Sequence, residues 1–223
     1  MAGSLGSVLR SPTAALVAAL GAGSAVACGL LVVRMAHSGR HTHLGFGWNL
    51  FLAWIPLAAA VLAYNVRRRA ILAIAAAAWI LFFPNAPYLV TDLIHLRPLP
   101  GAPHWYDAIM LAAFAWNGLF LGLASLLLMH RVVCRHASAL TGWLFVVAAV
   151  LAGSFGIYLG RFERFNSWDA LTDPTVVLVS AASRLSHPMI HLRTIVFSLI
   201  FSALLLTTYL MLIAFTRMQA ARD

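Results

Sequence analysis

Asn85, Tyr88, Asp92 and His95 are spaced by three, four and three residues, so an α-helix would carry all four on one face. An amide, a phenol, a carboxylate and an imidazole on one face can bind a polar solute or move a proton. They lie in Phe82-Phe83-Pro84-Asn85-Ala86-Pro87-Tyr88-Leu89-Val90-Thr91-Asp92-Leu93-Ile94-His95, directly after an apolar run over residues 70–83. A run of that kind belongs in lipid, where no water is at hand for a freed backbone group. Pro84 and Pro87 interrupt the hydrogen-bond ladder there. Asn, Asp and His at that depth cost free energy, which marks a candidate functional site. Asn85 is expected to cap a half-helix running to about Arg97, ahead of Pro98. The N–H groups of such a half-helix point at the protein interior and suit an anion or a polar ligand. The competing reading is a proline kink used only for packing.

Further polar groups flank this segment. His104-Trp105-Tyr106-Asp107 mirrors Asp92-x-x-His95 across the turn Arg97-Pro98-Leu99-Pro100-Gly101-Ala102-Pro103. Two His and two Asp could hold a divalent metal or serve as an acid–base pair. The spacing matches no zinc signature, and Trp105 and Tyr106 suit an interfacial aromatic belt. No metal and no cofactor is therefore assigned, and His37-x3-His41-x-His43 is a weaker metal motif still. Asn117, in Trp116-Asn117-Gly118, falls ~15 Å into its span and needs a partner there. Gly118-x3-Gly122 and Gly156-x3-Gly160 are expected to mark close helix crossings. In Gly160-Arg161-Phe162-Glu163-Arg164-Phe165-Asn166-Ser167-Trp168-Asp169, Arg161 and Arg164 stand one helical turn apart. An amphipathic interfacial segment of that kind can hold phosphate or carboxylate on its Arg side. Snorkelling Arg beside Glu163 is the plainer alternative.

The elements that must position these groups follow from composition. Hydrophobic residues make up 62% of 223 positions and charged residues 9%, far from the ~25% charge of soluble domains. Apolar windows near 14–33, 48–64, 70–94, 107–129, 140–160 and 193–215 each suit a bilayer crossing. The fold class is all-α: a single polytopic domain over residues 1–223, a bundle of six transmembrane helices with a broken third. The first window, preceded by Arg10 and holding Ala25-Val26-Ala27-Cys28, resembles a signal peptide, but its run is long for one, and a retained helix is expected. Asp173-Pro174 opens a short surface helix rather than a seventh span.

The net charge of +9 comes from fifteen Arg and no Lys against six acids. The Arg residues are scattered at helix ends, which excludes nucleic acid as the expected partner and fits lipid headgroups. Arg67, Arg68 and Arg69 fill one tight loop, so both termini are expected in the cytoplasm. Alternation of six spans then puts residues 92–107 and 161–173 on one side, where five of the six acids lie. Cys28 and Cys134 show neither metal-ligand spacing nor a disulfide framework. Phe46-x-Trp48-Asn49 recurs as Phe114-x-Trp116-Asn117, and Tyr88-Leu89 as Tyr158-Leu159, a faint echo of a duplicated hairpin.

Trp48-Asn49-Leu50-Phe51-Leu52-Ala53-Trp54, the run from Phe83 to Leu93, Trp105-Tyr106-Asp107, and Gly156-Ile157-Tyr158-Leu159-Gly160-Arg161-Phe162 with Asn166-Ser167-Trp168-Asp169 are specific enough to compare. Over roughly residues 45–216 they resemble the domain-of-unknown-function 1361 family of bacterial polytopic membrane proteins. The resemblance implies an inner-membrane location and carries over no activity. From the residues, one outward-facing polar pocket is expected. Its lining is Asn49, Asn85, Tyr88, Asp92, His95, Asp107, Asn117, Arg161, Glu163, Arg164, Asn166 and Asp169, with Asp92 or Asp107 in salt-bridge reach of Arg161 or Arg164. Three functions compete: binding or transport of a small polar or anionic solute or lipid headgroup, an intramembrane enzyme on lipid-linked substrates, and a structural subunit. Transport through six helices would call for a homo-oligomer.

Overall fold

Five of the six apolar windows each sit within one helix that outruns it, and the third is divided among shorter pieces. A computed structural model describes residues 12–39, 44–97 and 101–220; His41 and His43 of the His-rich loop lie outside the described residues. Helix α1 spans Pro12–Ser38, α2 Leu44–Asn65, and α3 Arg69–Phe82. After a turn at Phe83 and Pro84 come α4, Asn85–Tyr88, and a 3-10 helix, Leu89–His95. Helix α5 runs over His104–His136 and α6 over Ala139–Phe162. Two short helices, α7 (Asp169–Thr172) and α8 (Pro174–Ser186), precede α9 (Leu192–Ala220). Helices α1, α2, α5, α6 and α9, and the interrupted stretch Arg69–His95, are the six segments long and apolar enough to span a membrane. The described residues include no strand.

The helices exceed the windows because backbone satisfaction does not depend on side-chain polarity. In a low-dielectric layer the chain stays helical until water can take its carbonyls. At ~1.5 Å per residue, the 33 residues of α5 reach ~50 Å, past a ~30 Å hydrocarbon core and into both headgroup layers. Ends are capped where the sequence provides the means. Ser138 accepts the Thr141 N–H at the start of α6. Asp173 accepts the Val176 N–H with Pro174 in the first turn of α8. Arg135 donates to the Tyr64 carbonyl at 2.9 Å and lies over the Tyr64 ring, closing the C-terminal end of α2.

The third span is broken as expected, but the outer part is not the regular half-helix expected from Asn85 to Arg97. Only four residues are α-helical before the chain tightens to 3-10 winding, which ends at His95. Pro84 and Pro87 have no N–H to donate, so the ladder cannot pass through them. Within the tighter winding the Thr91 hydroxyl donates to the Tyr88 carbonyl at 2.6 Å. In 3-10 winding, residues three apart share a ridge. Asp92 therefore lines up with Leu89 and His95 rather than with Asn85 and Tyr88. A four-residue α-turn also lacks the aligned peptide dipoles that a helix-terminus anion site needs, which removes the basis for that expectation.

The chain divides into two compact units, Met1–Trp54 with Ala86–Leu121, and Ile55–Asn85 with Gly122–Asp223. In the first, Gly118 is the point of closest approach. A Cβ there would lie 2.6 Å from the Ala86 carbonyl oxygen and 2.7 Å from the Leu89 Cβ. In the second unit, a Cβ on Gly153 would meet the Phe83 ring at 2.8 Å, and one on Gly156 the Pro84 ring at 3.0 Å. The small residues thus receive the bulky break, which is what close packing without a hydrophobic drive requires. Helices α6 and α9 pack side by side through Tyr158, Phe162, Phe197 and Phe201, with the Arg193 guanidinium 4.4 Å from the Phe162 ring centre.

Candidate functional site

Asn49 and Asp92 are brought together. The Asn49 amide donates to the Asp92 carboxylate at 3.2 Å, from α2 to the 3-10 helix. Asp92 is 1% exposed. His95, one 3-10 turn on, is exposed at the rim, its ring 6.0 Å from that of Phe46. Phe46 also meets Phe114 at 5.9 Å, so the two copies of the Phe-x-Trp-Asn echo touch at their aromatic residue. Both copies bury the phenylalanine, expose the tryptophan and hydrogen-bond the asparagine. Tyr88 is half-buried between the buried Pro87 and Leu89.

Asp107 is buried at the start of α5 and meets a guanidinium from α1. Arg34 grips it with two prongs, Nε to Oδ1 at 2.6 Å and Nη2 to Oδ2 at 3.2 Å. Both side chains are under 5% exposed. A fork–fork pair of this kind has the strongest geometry available to an ion pair. Neighbouring groups fix it. The Tyr106 hydroxyl donates to the Leu30 carbonyl at 2.8 Å, one turn before Arg34. Gly101, at φ +94°, turns the chain against Ser38 and Arg34 where a Cβ would be strained. The sequence does not single out Arg34, because it stands just past the uninterrupted apolar run that ends at Val33. The signal was present: a lone Arg one turn before His37 can stay helical and snorkel or pair.

Asn117 acts between helices. Its amide reaches Ser24 Oγ at 2.6 Å on α1, and the Trp54 indole N–H donates to the same hydroxyl at 3.0 Å. The amide is oriented with its nitrogen 3.2 Å from the Leu20 carbonyl and its oxygen 3.2 Å from the Ser24 N–H, since the reverse would oppose donor to donor. Ser24 then accepts from Trp54 and donates to Asn117, and every polar atom in the chain of bonds is used. Gly23 leaves the space for it.

The remaining candidates belong to the second unit. The Asn85 amide donates to Ser167 Oγ at 2.9 Å. Arg161 is half-buried in the last turn of α6. Arg161 and Arg164 do not share a helical face as expected. The helix ends at Phe162, and Arg164 adopts φ +62°, so the Phe165 N–H returns to the Leu159 carbonyl at 3.3 Å. A left-handed residue just past a helix is a terminator, and it turns the exposed Arg164 out of register. Glu163 pairs with Arg184 of α8 at 2.6 Å. Asp169 accepts from the Asn166 N–H at 2.6 Å and holds its amide at 3.4 Å, closing a local turn. Among the described residues, no three His, Cys, Asp or Glu side chains gather as a metal site would need.

One buried cluster escaped sequence reasoning. His130 Nδ1 lies 2.7 Å from the Tyr209 hydroxyl, and Trp143 meets both rings edge-on. Gly142 makes room for the His130 ring and the Cys134 thiol. Cys28 and Cys134 are both free thiols.

These features define an integral, multi-pass helical membrane protein with polar groups buried in its spans. The chain belongs to the family described as "Protein of unknown function (DUF1361)", whose model matches residues 48–208. Comparison with curated proteins and with solved structures found no match.

Proposed function

We propose that this membrane protein binds, and in a homo-oligomer transports, a small polar solute or a lipid headgroup at the Asn49–Asp92 site. The observation that carries the reading is the carboxylate of Asp92, almost wholly enclosed within a spanning segment and held by an amide from another span. A carboxylate in such a place is costly to keep unless it serves a ligand or the fold. Its chemistry suits partners that donate hydrogen bonds, such as hydroxyls or an ammonium group. The winding favours that use, because the irregular segment puts backbone and side-chain acceptors within one short stretch. We place the protein in the bacterial inner membrane from its family resemblance, with both termini in the cytoplasm because of the Arg67–Arg69 cluster.

The test is lipid and metabolite profiling of a deletion strain complemented with the wild-type chain or with Asp92→Asn. That substitution keeps shape and one acceptor while removing charge. A solute or headgroup pool that the wild type restores and a well-folded Asp92→Asn does not is the expected result. Full restoration by Asp92→Asn removes the site. A second reading, a structural subunit, is favoured by the Arg34–Asp107 pair and the Asn117–Ser24–Trp54 chain, whose polar groups serve the packing of helices. It would prevail if the deletion altered no pool.

A further inference from the structure

Helix α8 turns its largest apolar side chains outward and its one charged side chain inward. On its thirteen residues, Leu178, Ala182 and Leu185 follow the i, i+4, i+7 spacing of one face, with Val179 beside them. All four are exposed, Leu178 at 67% and Leu185 at 63%. The half-buried side carries Val177, Ser180, Ala181 and Arg184. There Arg184 turns its guanidinium inward, donating to the Ser180 carbonyl and hydroxyl and pairing with Glu163. A helix on a protein surface in water shows the reverse arrangement, apolar face inward and charge outward. The apolar exposure continues beyond the helix through Met189, Ile190 and Leu192, and then along α9 through Val196, Leu199 and Ile200. Those α9 residues lie on a helix long and apolar enough to span the membrane, so along the chain the exposed apolar residues of α8 lead directly into a spanning segment.

Thirteen residues make ~20 Å of helix, short of a ~30 Å crossing. The segment 163–191 joins two spans and must leave and re-enter the membrane on one side. We infer that α8 lies in the plane of the bilayer surface, with the Leu178–Ala182–Leu185 face sunk into the boundary between headgroups and acyl chains. The Arg184–Glu163 pair holds it against its own unit, and His187 and His191 stand at headgroup level. Its partner is the lipid surface. The helix therefore shapes the membrane edge beside the end of α6.

The test uses the full chain in phosphatidylcholine–phosphatidylglycerol liposomes. Cys28 and Cys134 are replaced by Ala, and an environment-sensitive fluorophore is attached at Ala182→Cys or, separately, at Leu185→Cys. Either site alone suffices if the other variant folds poorly. Blue-shifted emission, quenched strongly by phospholipid carrying a spin label high on the acyl chain and weakly by aqueous iodide, is the expected result. Strong iodide quenching would overturn the inference, since the face would then be in water. Resistance to both quenchers, with fluorophore self-transfer that grows as protein is added to the same lipid, would overturn it in favour of a second copy of the chain.

Discussion

Arg34 and Asp107 form the costliest contact to lose, because either alone would leave a charge enclosed without its counter-ion. Breaking a buried pair costs about 3–5 kcal/mol, whereas replacing both partners with apolar groups is often near neutral. Asp107→Leu should therefore lower the detergent melting temperature sharply, and adding Arg34→Leu should recover much of the loss. Additive losses in that thermal-melt cycle would mean that the pair does not act as one. Gly118 is the tightest backbone approach to the break. Gly118→Ala should cost about 1–3 kcal/mol, because the new methyl meets a carbonyl that cannot move without the segment. Folded yield by size-exclusion fluorescence would read it, and a wild-type profile would contradict the packing. Arg164 is different, as its left-handed backbone favours glycine. Arg164→Gly should hold or raise stability by up to about 1 kcal/mol; a marked loss would show that its side chain matters to the fold.

At the scale of elements, the broken third span is held open by its surroundings as well as by its prolines. Phe83 and Pro84 bed against Gly153 and Gly156 of α6, where any Cβ would intrude. Gly153→Ala, facing an aromatic ring at 2.8 Å, should destabilise more than Gly156→Ala, facing a ring edge at 3.0 Å. The cost of Gly156→Ala should shrink in a Pro84→Ala background, since the methyl then has room. Thermal melts of the four chains check this. An unchanged penalty would place the strain elsewhere. The 3-10 run has weaker hydrogen bonds than an α-helix, so its amides should exchange with solvent faster than those of α3.

For the whole molecule, six spans in succession make membrane sidedness a matter of counting. Cysteines introduced at Gly101 and Ser167 should label from the same side in intact cells, and one at Arg68 from the other. Opposite labelling at Gly101 and Ser167 would mean an odd number of crossings between them and would break the six-span arrangement. With Arg67 and Arg68 exposed on a short loop and Arg69 exposed at the start of α3, that side is expected to be cytoplasmic.

Hydropathy determined the membrane class and the number of spans, since lipid forces apolar length and internal hydrogen bonding on any crossing chain, and Pro84 and Pro87 determined the position of the break. Capping at Asp173-Pro174 and the short helix after it were likewise readable, because their signals are local. The partners were not. Asn49 and Asp92 were candidates on separate spans, and only packing joined them. Asp107 found Arg34, whose helix continued past the uninterrupted apolar run, and Asn117 found Ser24, whose hydroxyl carries no signal among so many small residues. Helical periodicity was also the wrong ruler beyond Pro87. There the backbone wound to three residues per turn, so the face drawn through Asn85, Tyr88, Asp92 and His95 dissolved. Local chemistry and the solvent decide where a chain is helical and where it must break. Which buried polar groups meet depends on register between distant helices, and only the tertiary structure specifies that.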